Sequence, residues 1–301
     1  MKPQRVWLLR GLLSAALLAW LLTRLDWRTF PPLLRTAHPG WALAALGCGG
    51  LSMAGLAWRW SLCLRAFRIH LPARALLRIT LASSAAGFFS IGHLGMDAAR
   101  VLMADRLAPG RRAALVASVS LDHASALPVM VLLFAVAALQ HGLVPEVNGT
   151  GVFIFAAIVA VSFMAGRLVR WKWKALHDRI LRVLRTPALW RGAVRAAAVS
   201  LPVWAAYGGV FYCAARAVGV EVPVPAFMGV TAIADAVAAL PISIAGLGVR
   251  EEAFRFLLQR WHAVLPEAAV ALSLMGFAVL LCWGLAGCVF WLKQPKPPAS
   301  P

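Results

Sequence analysis

Seven charged or titratable side chains sit where the chain is otherwise hydrocarbon. Asp122 and His123 lie some ten residues into an apolar run that starts at 113. A charge at bilayer depth costs roughly 2.5 to 3.5 kcal/mol on insertion scales, so such groups face a partner or a wet cavity. The pair suits headgroup contact or proton exchange, His123 titrating near neutral pH. A purely structural polar pair is the alternative. Arg100 and Arg250 each follow a glycine-containing stretch. Arginine binds phosphate bidentately, so either could hold a phosphorylated headgroup. The competing use is a salt bridge to Asp97, Glu251 or Glu252. Asp235, in the apolar approach to Arg250, is expected to meet Arg100 or Arg250 or to line a cavity, unless it is a helix-end carboxylate near the interface.

The elements that must carry these residues follow from composition. With 61% hydrophobic residues, 14% charged residues and a mean hydropathy of +0.78, the chain is too apolar for a soluble domain. It reads as one all-α integral membrane domain over 1–301. Apolar runs long enough for a bilayer core fall at roughly 7–23, 41–57, 113–138, 151–166, 196–215 and 268–292, about six transmembrane helices. The balance of 30 Lys plus Arg against 11 Asp plus Glu would suggest nucleic acid in a soluble protein. Here the basic residues lie between apolar runs and set topology instead. Residues 1–23 lack a small-x-small cleavage pattern and read as a retained helix. The five cysteines show no CxxC spacing and the histidines no ligand spacing, so no metal, cofactor or catalytic constellation is expected.

Loop charge gives orientation. Residues 58–78 carry Arg59, Arg65, Arg68, Arg74 and Arg78 without an acid, and 167–195 carries nine Lys/Arg against Asp178. Both belong in the cytoplasm, whereas 139–150 and 216–223 belong outside. If 79–95 crossed the bilayer fully, parity would put 167–195 outside. The conflict vanishes if 79–95 is a re-entrant hairpin from the cytoplasmic side. A cytoplasmic C-terminus, favoured by Lys293 and Lys296, makes 224–245 re-entrant from the other side. Both termini are then cytoplasmic.

Two stretches reinforce this. GFFSIGHLGMDAARVLMADR (87–106) and AALPISIAGLGVREEAFRFL (238–257) share an apolar approach, a glycine turn, an arginine and a short charged helix before a long apolar one. They define hairpin-plus-helix repeats at 79–138 and 224–292 with opposite orientation, as in many secondary transporters. Gly92, Gly95, Pro241, Gly246 and Gly248 are the expected turn residues. Residues 167–195 read as a basic amphipathic segment on the anionic cytoplasmic leaflet. GCGGLSMAG at 47–55 reads as close helix packing, within the fold or in a homodimer.

GLGVRE at 246–251 and GHLGMDAAR with RRAALVASVSLDH between 92 and 123 resemble the lysylphosphatidylglycerol synthase transmembrane-region family, the flippase-like domain proteins. Gly95, Asp97, Arg100, Asp122, Pro241, Gly246, Gly248, Arg250 and Glu251 fit the family pattern. Ile91, Met96 and His123 depart from it. The resemblance implies a multi-pass protein of the bacterial cytoplasmic (inner) membrane that moves a polar-headed phospho- or glycolipid between leaflets. The chain shows no aminoacyl-transfer or glycosyltransferase domain of the kind some relatives carry, so enzyme activity is not expected. In this reading Asp97, Arg100, Asp122, His123, Asp235, Arg250 and Glu251 line a headgroup cavity. The alternative is an accessory membrane subunit of a separate partner synthase that modifies lipid or assembles glycan. Membrane-embedded catalysis by Asp122 and His123 lacks a complete set of reacting groups.

Overall fold

The computed structural model describes residues 19–20, 23, 28–88, 93–140, 187–239 and 246–292. The apolar runs 7–23 and 151–166, the loop 139–150, the basic segment up to 186, Gly92 and Pro241 lie essentially outside them. The described chain is all helical. A short α1 (Phe30–Arg35) precedes α2 (Pro39–Ala66), α3 (Ala73–Phe88), α4 (His93–Asp105) and α5 (Arg112–Gln140). The second half holds α6 (Pro187–Ala217), α7 (Val224–Ala238), α8 (Val249–His262) and α9 (Pro266–Leu292).

Length sorts these helices into two kinds. The four of 27 to 31 residues, α2, α5, α6 and α9, are long and apolar enough to cross a membrane, whose core needs about 20 residues. α3, α4, α7 and α8 have 16, 13, 15 and 14 residues. At 1.5 Å per residue each spans only about 20 to 24 Å, short of the roughly 30 Å hydrocarbon core. The order long, short, short, long therefore occurs twice. Every helix contact among these eight has its counterpart when α2–α5 is exchanged for α6–α9. Thus α3 packs on α9 as α7 packs on α5, and α2 and α6 pack on each other.

The direction of the halves follows from the α2–α6 seam. Gly192 meets Ala66, Arg59 reaches Ser200, Gly55 meets Val203 and Gly209 meets Cys48. At the far end His38 N–H donates to Ala217 O at 2.9 Å. Numbers rise on one helix as they fall on the other, so the two run antiparallel. The α2–α3 connection (67–72) and the α6–α7 connection (218–223) consequently lie at opposite ends of the seam. The α4–α5 connection returns to the end where α3 began: Arg111 Nη2 donates to Phe67 O at 2.8 Å.

Small residues permit the close packing. A Cβ on Gly49 or Gly50 would fall within 3 Å of the Trp283 ring, and one on Gly287 only 2.2 Å from Leu81 O. The 47–55 stretch thus packs within this fold, its Gly49 and Gly50 against α9 and its Gly55 against α6. Each half also has its own core. Trp60, Leu64, Ile79, Met103 and Leu115 centre one; Phe211, Phe227, Phe254, Leu258 and Leu272 centre the other.

Four placements differ from those expected. Arg59 was counted with a cytoplasmic loop, but α2 continues to Ala66 and buries it to 5% exposure. A carboxylate partner inside the bundle makes that burial tolerable. The first short helix begins at Ala73, ahead of 79. Gly95 lies within the first turn of α4, not in a turn between helices. Amides of a first turn have no intrahelical acceptor, so a glycine there need not end a helix. Residues 187–195 of the basic segment form the opening turns of α6.

Candidate functional site

The first polar cluster joins α2, α4, α5 and α6. Arg59 Nε and Nη2 donate to Asp122 Oδ1 and Oδ2 at 2.7 and 3.0 Å, a two-pronged pair. Arg100 Nη1 reaches the same Oδ2 at 3.3 Å. Two guanidiniums therefore share one carboxylate, and all three groups are buried. Ser200 Oγ lies 3.4 Å from Arg59 Nη1. Arg100 sits over the Trp60 ring, 5.6 Å from its centroid, where the ring face attracts a cation. Trp60 is itself fixed by donating to Ser118 Oγ at 3.2 Å. His123, one residue on, points elsewhere and meets Asp97 of α4 at 2.7 Å.

The second cluster joins α6, α7, α8 and α9. Tyr207 O–H donates to Asp235 Oδ1 at 2.6 Å, and Arg250 Nη2 stands 3.8 Å from the same oxygen. That is an ion contact rather than a hydrogen bond. Arg250 lies over the Phe211 ring at 5.8 Å, so in each half the arginine of the second short helix rests on an aromatic ring from the long helix before the pair. Glu251 is fully buried and closes the start of α8. It accepts from Gly248 N–H at 2.7 Å and from Ser273 Oγ at 3.1 Å, satisfying one orphan amide of the helix end and complementing its dipole. Gly246 and Gly248 have φ of +76° and +81°, a region that favours glycine. A Cβ on Gly246 would lie 2.8 Å from that of Ala238 and 3.3 Å from Arg250 Nη2.

The seven sequence-selected residues thus fall into three groups. Arg100 joins Asp122, His123 joins Asp97, and Arg250 joins Asp235 with Glu251 beside it. Arg100 pairs with none of the acids weighed for it, Asp97, Glu251 or Glu252; Glu252 pairs with Arg255 instead. Asp122 and Glu251 are closed off in this conformation, while Asp97 and Asp235 have side chains 19% exposed. Sequence reasoning missed Arg59, Trp60, Tyr207, Phe211 and Ser273. Arg59 and Trp60 carried a usable signal, an arginine between two tryptophans directly after an apolar run. Tyr207 carried another, as one of only two tyrosines in the chain.

Four helices long and apolar enough to cross a membrane, paired with shorter ones and joined by buried ion pairs, define a multi-pass, all-α membrane protein. The family described as Lysylphosphatidylglycerol synthase TM region matches residues 7–287. The chain belongs to that family. No curated protein matches it in sequence. Among the described residues no group of His, Cys, Asp and Glu is arranged to hold a metal ion.

Proposed function

We propose that this protein moves a polar-headed lipid, phospho- or glycolipid, between membrane leaflets. The pairs α3–α4 and α7–α8 act as re-entrant hairpins from opposite faces, and the headgroup passes between them while the acyl chains stay in the bilayer. The carrying observation is the antiparallel α2–α6 seam, which sets the two short-helix pairs off from opposite ends. Arms too short to span, and the Arg111 to Phe67 contact that returns the first pair to its starting end, support the same reading. Broken helices in inverted halves are the build of many secondary transporters. The membrane is the bacterial inner membrane, with both termini in the cytoplasm. Catalysis is not part of this reading, and a gradient, a partner or simple equilibration drives movement.

The test is leaflet exchange of fluorescent anionic, zwitterionic and aminoacylated lipids in liposomes holding the purified protein. Exchange should exceed that of empty liposomes for at least one class. It should fall with Arg250→Gln and persist with Arg65→Gln, an exposed charge at the end of α2. If no class exchanges faster than in empty liposomes, translocation is wrong and an accessory subunit of a partner synthase takes its place.

A further inference from the structure

Arg100 is 1% exposed, yet two of its three guanidinium nitrogens, Nε and Nη2, have no hydrogen-bond partner. Leaving a buried charged donor unmade is costly, so such a group calls for a physical reason. A natural partner stands close by. Asp97 precedes Arg100 by three residues on α4, the spacing at which helical side chains are neighbours. Its Oδ1 is also buried and without a partner. The two unmet groups nonetheless do not bond.

His123 supplies the reason. Its Nε2 lies 2.7 Å from Asp97 Oδ2, and since a carboxylate only accepts, the imidazole donates. Successive residues of α5 therefore do two jobs: Asp122 holds Arg100 by Nη1, and His123 holds the carboxylate that would otherwise neutralise it. In the second half Arg250 Nε is also buried without a hydrogen-bond partner, but the balance of charge is reversed. Arg250 has Asp235 at 3.8 Å and the buried Glu251 next to it in the chain, two carboxylates to one arginine. The first cluster has two arginines, Arg59 and Arg100, to the one carboxylate of Asp122. The surplus of positive charge over Asp122 in the first cluster is what an anion would offset.

We propose that Nε and Nη2 of Arg100 are the docking site for the phosphate of a phosphate-bearing lipid, and that His123 is a positioning residue that keeps the site open by holding Asp97 aside. This rests on the translocator reading and names its substrate class. The two free N–H groups lie on adjacent nitrogens of the planar guanidinium, the fork that matches two phosphate oxygens. The described conformation is the closed one, and loading requires the α3–α4 pair to shift against α5.

Binding is measured on the full-length protein in detergent, apart from any transport assay. Short-chain phosphatidylglycerol and inorganic phosphate are titrated separately, read through Trp60 fluorescence taken as the difference from a Trp60→Phe variant. The Trp60 ring lies 5.6 Å from Arg100, so an anion there alters its emission. Phosphatidylglycerol should bind, and Arg100→Gln should weaken it about 10-fold or more, as losing a charged hydrogen bond does. His123→Ala, at a partly exposed site, should weaken it comparably, and adding Asp97→Asn should restore it, which a merely structural role for His123 would not produce. The proposal is overturned if phosphatidylglycerol fails to bind, if either single variant binds like wild type, or if the double variant shows no recovery. Inorganic phosphate binding with the same variant dependence would replace the lipid with free phosphate. Intact phosphatidylglycerol binding without leaflet exchange would sink the translocator and leave this site standing.

Discussion

Replacing Asp122 by asparagine keeps the shape of the first cluster and removes its one negative charge. Arg59 and Arg100 then face each other's positive charge in a buried site. With an effective dielectric near 20, one ion pair at about 3 Å is worth roughly 5 kcal/mol before desolvation is subtracted. Asp122 makes contacts of 2.7, 3.0 and 3.3 Å to two guanidiniums. Desolvation offsets most of that attraction in the intact cluster, but removing one partner leaves the cost without the return, typically 3 to 5 kcal/mol. Asp122→Asn should therefore lose about 3 to 5 kcal/mol of unfolding free energy in an SDS titration from mixed micelles. Adding Arg59→Gln returns the cluster to one positive charge, so the double variant should be more stable than Asp122→Asn alone. A single variant within about 0.5 kcal/mol of wild type, or a double variant less stable still, would refute the view that the carboxylate binds the two arginines together.

Helix packing gives a paired prediction: Gly287→Ala pushes a methyl into the Leu81 carbonyl, 2.2 Å away, whereas Gly47→Ala meets nothing within 4 Å. The first should destabilise by about 1 to 3 kcal/mol in the same titration and the second should be neutral or stabilising. Glu251→Ala strips the acceptor from Gly248 N–H and Ser273 Oγ and should cost about 1 to 3 kcal/mol, with Ser273→Ala costing less; equal stability of Glu251→Ala and wild type would show that the cap is not needed.

How far the sequence carried the fold is clearest at α2 and α5. Long apolar runs placed both, because a bilayer forces the chain to satisfy its own backbone over some 20 residues. Those runs left their ends undefined, since an arginine with a buried partner costs far less than one without. That is why Arg59 reads as a loop charge and is in fact a bundle residue. The acids and arginines that interrupt hydrocarbon, Asp122, Asp235, Arg100 and Arg250, were legible because their expense is visible in one dimension. Their pairing was not, because it depends on which helices touch. Phe211 escaped for a related reason: an aromatic residue in an apolar run looks the same whether it packs on lipid, on a core or under a guanidinium.

The opposed orientation of the two short-helix pairs is the claim on which the rest depends, and cysteine accessibility tests it directly. In a protein whose five native cysteines are replaced, single cysteines go in at His70→Cys and Glu221→Cys, in the α2–α3 and α6–α7 connections, both exposed. A membrane-impermeant maleimide is then applied to right-side-out and inside-out vesicles. The account predicts that position 70 reacts only from the cytoplasmic side and position 221 only from the opposite side. Labelling of both from the same side would contradict it, because the pairs would then open to one face and give a headgroup no route between leaflets.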